Sequence, residues 1–333
     1  MTIPGPFSWK NSIELNPQPF PADTATRLRS NVTGFDKMGI AIFDVSKGNP
    51  AGYAHNFTKT GYAASLPKIV AMYAAFYLQS RLKAISGALG VTTSLATIES
   101  DLKKEWSPVL KTTIPYAVGD FPDISSIFSS RSFEFSNSFQ KDMDAMMKKS
   151  DNWAAGRCIH RIGYDYLNGA LTYGGFYSVS EKSGFWLAGD YIPAKHASNR
   201  DGREVPAMGT SQAASAKAAS LLLANLARDE LISPESSQGM KKVMSNAYSW
   251  VRYNAEAHHP GAEVFGKLGL GANKPQQATH DCAIVKYSDA HYVIVTLFGS
   301  EALEGLFDEL DQTAQALFMF RKVVETARSI VGL

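Results

Sequence analysis

Cysteine is scarce in this chain: two thiols, Cys158 and Cys282, in 333 residues. So small a number excludes a disulfide framework and a thiolate metal cluster. A single bridge between the two is open, but the simpler reading is a pair of buried apolar thiols. Charge of one sign is equally lacking, with 33 Lys and Arg against 31 Asp and Glu and a net charge of +2. A near-neutral balance gives no bulk field to gather nucleic acid or an anionic membrane. The seven histidines have no ligand spacing, and His258-His259 before Pro260 reads as a loop pair, so neither a metal nor any other cofactor is expected. No apolar run is long enough to span a bilayer, and residues 1–10 lack a basic segment followed by an apolar core. The chain as it stands therefore reads as cytoplasmic, or as periplasmic or secreted if it has been trimmed. Asn31-Val32-Thr33 matches a glycosylation acceptor, a triplet common by chance. Internal repeats and low-complexity tracts are absent.

What is present is apolar content, 45% of residues, enough for one large core or two joined subdomains. After a polar, Pro-rich lead of about 20 residues, cap-like signals at Pro21 and Asp23 open a first helix over 22–34. Strands follow at 38–45 and 51–54. Helical patterns then dominate from Ser65 to about Leu226, broken by a loop-rich stretch over 113–137. Strands resume at 263–270, 281–287 and 291–298, the last two joined by the short turn Ser288-Asp289-Ala290. The apolar spacing over 310–330 predicts one long amphipathic helix against the sheet.

Three short strings carry the chemistry: Ser65-Leu66-Pro67-Lys68, Ser150-Asp151-Asn152 and Lys267-Leu268-Gly269. Ser-x-x-Lys alone occurs by chance on many helix surfaces; the ordered set is far more specific. Three residues apart on a helix, Ser65 and Lys68 share a face, so the Lys68 amine can reach the Ser65 hydroxyl. A serine becomes a good nucleophile when a base takes its proton, and a lysine is that base only when burial or neighbouring positive charge lowers its pKa. Lys267 can supply such a charge. The run after Lys68, Ile69 to Leu78, is apolar almost all round and marks a helix buried mid-domain. Pro67 suits its first turn.

The three strings resemble the signature of the serine β-lactamase and penicillin-binding-protein superfamily, Ser-x-x-Lys, Ser-Asp-Asn and Lys-Thr-Gly. The likeness extends to the early strands and to 210–223, which look like the family's late helices; it covers roughly residues 22–330 and is nearest to the class A β-lactamases. It implies an α+β fold of the β-lactamase/transpeptidase type, with a five-stranded antiparallel sheet flanked by helices and an all-helical subdomain. The expected division is a lead (1–21), a sheet subdomain (22–62 and 229–333) and a helical subdomain (63–228) carrying the first two motifs. By resemblance, Ser65 attacks a carbonyl, Lys68 accepts its proton, and Ser150 links the nucleophile to Lys267 and passes a proton to the leaving atom. Asn152 holds a substrate amide, Lys267 attracts an anionic group, and the backbone N–H groups of Ser65 and Leu270, beside Gly269, form an oxyanion hole. Asp151 reads as a brace for its turn.

Two departures from the family pattern stand out. Leu268 replaces the usual threonine or serine, removing a hydroxyl that binds a substrate carboxylate; Lys274 is a weak substitute. The family's Glu-x-x-Leu-Asn loop, whose glutamate activates the deacylating water, is also missing. Aligning Trp186 with the tryptophan that often precedes that glutamate puts Leu187 in its place, followed by Ala188-Gly189-Asp190-Tyr191. Tyr164-Asp165-Tyr166-Leu167-Asn168 imitates the motif but falls in a helix and reads as packing. Glu181, Asp190 and Glu204 remain as candidate bases. The expected activity is a serine hydrolase or acyltransferase on an amide, ester or lactam, with a small-molecule or short-peptide substrate and slow deacylation. An efficient β-lactamase with a relocated base, a non-catalytic acyl-binding or sensor module, and a peptidoglycan carboxypeptidase are the alternatives. Oligomeric state is not encoded in any string.

Overall fold

The computed structural model describes residues 3–298 apart from 32–34, 47, 90–93, 114–118, 131, 190, 192–211, 259, 272–277 and 288–289, together with Arg321 and Glu325. The first helix, α1, covers Ala22–Asn31; β1 (Gly39–Asp44) and β2 (Ala51–His55) follow, then a short β3 (Thr60–Tyr62). Helices come next: α2 (Lys68–Leu89), α3 (Leu95–Thr113), α4 (Ile124–Ile127), α5 (Asn137–Lys148), α6 (Asn152–Ile162) and α7 (Tyr164–Gly174). Three two-residue strands, β4 (Tyr177–Ser178), β5 (Ser183–Gly184) and β6 (Trp186–Leu187), precede β7 (Gln212–Ser215). Helices α8 (Ala216–Ala227), α9 (Pro234–Met244) and α10 (Trp250–His258) lead into β8 (Glu263–Gly271), β9 (Ala278–Tyr287) and β10 (Ala290–Phe298).

The fold class is the expected one: a five-stranded antiparallel sheet in the order β2-β1-β10-β9-β8, flanked by helices. Successive side chains of a strand point to opposite faces, and in β1 and β9 both faces are dry. Ala41, Phe43, Cys282, Ile284 and Val293 enter one core with α2 and α8. Ile40, Ile42, Ala283, Val285 and Val264 enter a second with Trp250 and Val251 of α10. Burial on both sides explains why β1 reads as a nearly continuous apolar run. Both cysteines are buried free thiols, and burial pushes their pKa values up.

The all-apolar stretch 69–78 forms the start of α2 and is sealed inside the molecule: every residue from Ile69 to Leu78 is buried. Two elements differ from the sequence expectation. Residues 212–215, expected with the late helices, form β7, which pairs with β3 and β6. The Ser215 hydroxyl accepts from Ala218 N, so this side chain caps α8 and sets the helix start at Ala216. Strands β3 to β6 are two or three residues long, too short for a period-2 pattern to register. The lead is laid along the helices: Tyr77 Oη accepts from Ser8 N and Trp9 N at 2.8 and 2.7 Å, Trp106 Nε1 donates to Pro4 O at 3.0 Å, and Gln18 bridges Tyr53 beside β2. The helix expected over 310–330 lies outside the described residues except Arg321 and Glu325, which pair at helical spacing, 2.8 Å.

Candidate active site

Ser65 does not sit on a helix, as its spacing to Lys68 suggested, but in a turn just ahead of α2. Successive bonds Leu66 N to Ala63 O, Lys68 N to Ser65 O, Ile69 N to Leu66 O and Val70 N to Pro67 O all span three residues. Pro67 has no N–H to give the α-helical ladder, and Ala64 is left-handed at φ 47°. A left-handed L-residue costs about 1–2 kcal/mol, so neighbours must hold this turn. Tyr191 does so, donating its hydroxyl to Ala64 O at 2.8 Å.

Lys68, the first residue of α2, is fully buried. Its Nζ donates to Ser150 O and Asn152 Oδ1, both at 2.6 Å, and lies 3.3 Å from Ser150 Oγ. The Tyr191 ring covers it, centroid 4.6 Å from Nζ. Burial first, and then the charge of Lys267, lower its pKa to about 6, with Asp151 opposing. At neutral pH it is an amine with two N–H groups and one lone pair. Two carbonyl oxygens take the N–H groups, which leaves the lone pair to accept a proton from a hydroxyl.

The second motif is the link before α6. Ser150 is left-handed at φ 56°, and Asp151 is the N-cap of α6, its carboxylate accepting from Ala154 N at 2.8 Å. Asp151 thus braces the turn, as read from the sequence. Asn152 is exposed; with Oδ1 held by Lys68, its amide N–H groups are the part able to donate to a substrate.

Lys267 reaches the same place from β8, donating to Ser150 Oγ at 2.9 Å and to Leu268 O at 2.6 Å. Burial lowers its pKa to about 8, against the pull of Cys282 and Asp281. It is 1% exposed, so its charge acts from behind Ser150 and not from the rim. Gly269 is where β8 meets the nucleophile turn: a Cβ here would lie 3.0 Å from Ala63 O and 3.1 Å from Leu66 N. A side chain here would force the turn to give way by a few tenths of an ångström, and Leu270, which follows, is exposed. Leu268 packs its side chain toward the core beneath α10.

The structure therefore gathers Lys68, Ser150, Asn152 and Lys267 into one hydrogen-bonded cluster and sets Gly269 against the turn of Ser65. The half-buried Ser65 side chain makes no hydrogen bond among the described residues. Sequence reasoning missed Tyr191 as a contact and also His280, opposite Gly269 in register. Burial lowers the His280 pKa to about 4, and its neutral ring donates Nε2–H to Tyr62 O at 2.8 Å, tying β9 to the end of β3. Neither has a motif; both are visible only through what they touch.

Leu187 is buried in the apolar core. Asn168 of α7 grips its backbone twice, donating Nδ2 to Leu187 O at 2.7 Å and accepting from Leu187 N at 3.1 Å. The 164–168 segment is helical and buried, as expected for packing. Glu181 is exposed at the tip of the β4–β5 hairpin. Asp190, Glu204 and Lys274 lie outside the described residues. Among the described residues no group of three or more His, Cys, Asp or Glu side chains is arranged to hold a metal, and no helix is long and apolar enough to cross a membrane.

A family profile described as the β-lactamase enzyme family matches residues 23–318. The chain belongs to that family. Among solved structures it is similar to PBP-A, with a TM-score of 0.56, 16% identity, and coverage of 96% of this chain and 100% of that one. It is likewise similar to a β-lactamase from Chitinophaga pinensis, with a TM-score of 0.56 and 14% identity over 93% of this chain and 97% of that one. A variant of the last common ancestor of Gram-negative class A β-lactamases gives a TM-score of 0.56 and 17% identity, covering 91% of this chain and 98% of that one. No curated protein sequence matches the chain. At these identities the structural neighbours establish the fold.

Proposed function

We propose that the protein is a β-lactamase-like serine hydrolase or acyltransferase that forms an acyl-Ser65 intermediate from an amide, ester or lactam and releases it slowly. The observation that carries this reading is the Ser150 hydroxyl shared between two buried amines, 3.3 Å from Lys68 and 2.9 Å from Lys267. In the reaction, Ser65 Oγ bonds to the substrate carbonyl carbon as its proton passes to the Lys68 lone pair. The carbonyl oxygen becomes an oxyanion held by the N–H groups of Ser65 and Leu270, a donor pair whose loss costs about 100- to 1,000-fold in rate. The tetrahedral adduct collapses, the bond to the leaving nitrogen or oxygen breaks, and that atom takes the proton from Lys68 through Ser150. Lys267 keeps positive charge behind Ser150, which holds Lys68 neutral and offsets negative charge on the substrate. Asn152 donates to the acyl side chain. Water, an amine or an alcohol then takes the acyl group.

Slow release is supported by the environment of Leu187, an apolar core position that matching Trp186 to the family's tryptophan aligns with its water-activating carboxylate. Intact mass spectrometry after incubation with a fluorophosphonate probe, penicillins and simple activated esters tests the proposal. A stoichiometric adduct on Ser65 that outlasts mixing by many minutes is the expected result. An unmodified mass with every reagent overturns it.

A further inference from the structure

Outside the three motifs, the Tyr191 side chain touches both Lys68 and the turn that carries Ser65. Tyr191 is 7% exposed; its hydroxyl donates to the carbonyl of Ala64, the residue before Ser65, and its ring lies over Lys68 Nζ. We propose that Tyr191 is a positioning residue for acylation: its hydroxyl holds the left-handed turn that presents Ser65, and its ring closes Lys68 off from water. The proposal rests on the reading of Ser65 as nucleophile and Lys68 as base.

Ala64 holds a backbone conformation that an L-side chain disfavours, and such a residue persists only where its surroundings over-determine it. The Tyr191 bond is one such restraint; the His280 bond to Tyr62 O, two residues earlier, is a second. Burial raises the Tyr191 pKa well above the ordinary tyrosine value, so the hydroxyl stays protonated and acts as a donor, never as a competing base. Around Lys68, the charged groups are Lys267 from β8 and Asp151 from the link before α6; Tyr62 and Tyr164 are the titratable groups facing Tyr191. A ring face attracts a cation, but the same ring displaces water from an amine that is fully buried. Removing the ring leaves a space bordered by the Lys68 amine and the Ala64 carbonyl, two polar groups that water can solvate.

The test compares Tyr191→Phe and Tyr191→Ala with the wild type by two readouts: the pH dependence of fluorophosphonate acylation, and the titration of Lys68 followed by NMR of 13C-lysine side chains. In Tyr191→Phe the ring remains and the tie to Ala64 is lost. Acylation falls by about 10- to 100-fold, the range for small misplacement of a reacting group, while the Lys68 midpoint stays where it is. In Tyr191→Ala water reaches Lys68, and its midpoint rises by at least about one pH unit. Should that variant not fold, Tyr191→Leu trims the ring with less loss of volume and moves the midpoint in the same direction. Wild-type acylation in Tyr191→Phe, or an unmoved Lys68 midpoint in the ring-trimmed variant, overturns the proposal. A wild type that acquires no adduct on Ser65 overturns the nucleophile reading instead, and the Lys68 titration then still decides whether Tyr191 seals that amine.

Discussion

The motif cluster and the β6 region are built from opposite materials. Toward α6 and β8 lies a cluster of polar groups, Lys68, Ser150, Asn152 and Lys267, connected by hydrogen bonds of 2.6 to 3.3 Å. At β6, Leu187 lies in the core with Asn168 of α7 gripping its backbone. Desolvation operates in both regions with different results. Around the lysines it lowers two pKa values; around Leu187 it encloses an apolar side chain in the core. On the proposed reading, acyl formation needs a polar cluster shielded from water, whereas acyl release needs water admitted beside a base.

The contrast can be broken at several points. The largest effect is expected from Ser65→Ala, which removes the attacking oxygen; no adduct should form with any acylating reagent, as read by intact mass, and labelling that survives moves the nucleophile elsewhere. Lys68→Met should fold, since it replaces a buried amine with a side chain of similar length, and should slow acylation by at least about 100-fold, the lower range for a general base. A smaller loss in stopped-flow labelling would give the proton to another acceptor.

A pH profile sharpens the same side. Lys68, lowered to about 6, works as a base only when deprotonated, so acylation is lost as pH falls through about 6. Lys267, lowered to about 8, supplies charge only when protonated, so acylation declines as pH rises through about 8. Each limb should approach tenfold per pH unit. A single limb near the ordinary lysine value would falsify the assignment of Lys68. The smallest effect on chemistry is expected from Leu187→Glu. The position is 0% exposed, so the new carboxylate enters an apolar core at a cost of several kcal/mol, measurable by urea unfolding, while adduct lifetime changes by less than about tenfold. Adduct turnover restored at undiminished stability would show that this pocket readily admits water and charge.

Much of the fold was legible along the chain. The five long strands and α2 announce themselves through apolar runs and turn signals; in β1, β9 and the start of α2, burial on every side leaves little freedom in residue choice. The short strands β3 to β6 were not legible, since two or three residues carry no period, and β7 was hidden by its alanines, which suit helix and strand alike. At the site, the three strings named Lys68, Ser150, Asn152 and Lys267, which the structure joins by hydrogen bonds, and Gly269, which it sets against the turn of Ser65. Asp151 was recognised as a brace for its turn, a local role.

By itself the sequence determined the inventory: which hydroxyls, amines and carboxamides are available, in what order, and which expected groups are missing at positions 187 and 268. Only the tertiary structure decided how they meet. It starts α2 at Lys68 and leaves Ser65 in a turn, brings Lys267 to Ser150 across 117 residues, and lays Tyr191 over Lys68. The physical reason is that pairing in a helix or turn depends on neighbours a few residues away, whereas burial, and the pKa values it sets, depends on whatever the whole chain packs around a group.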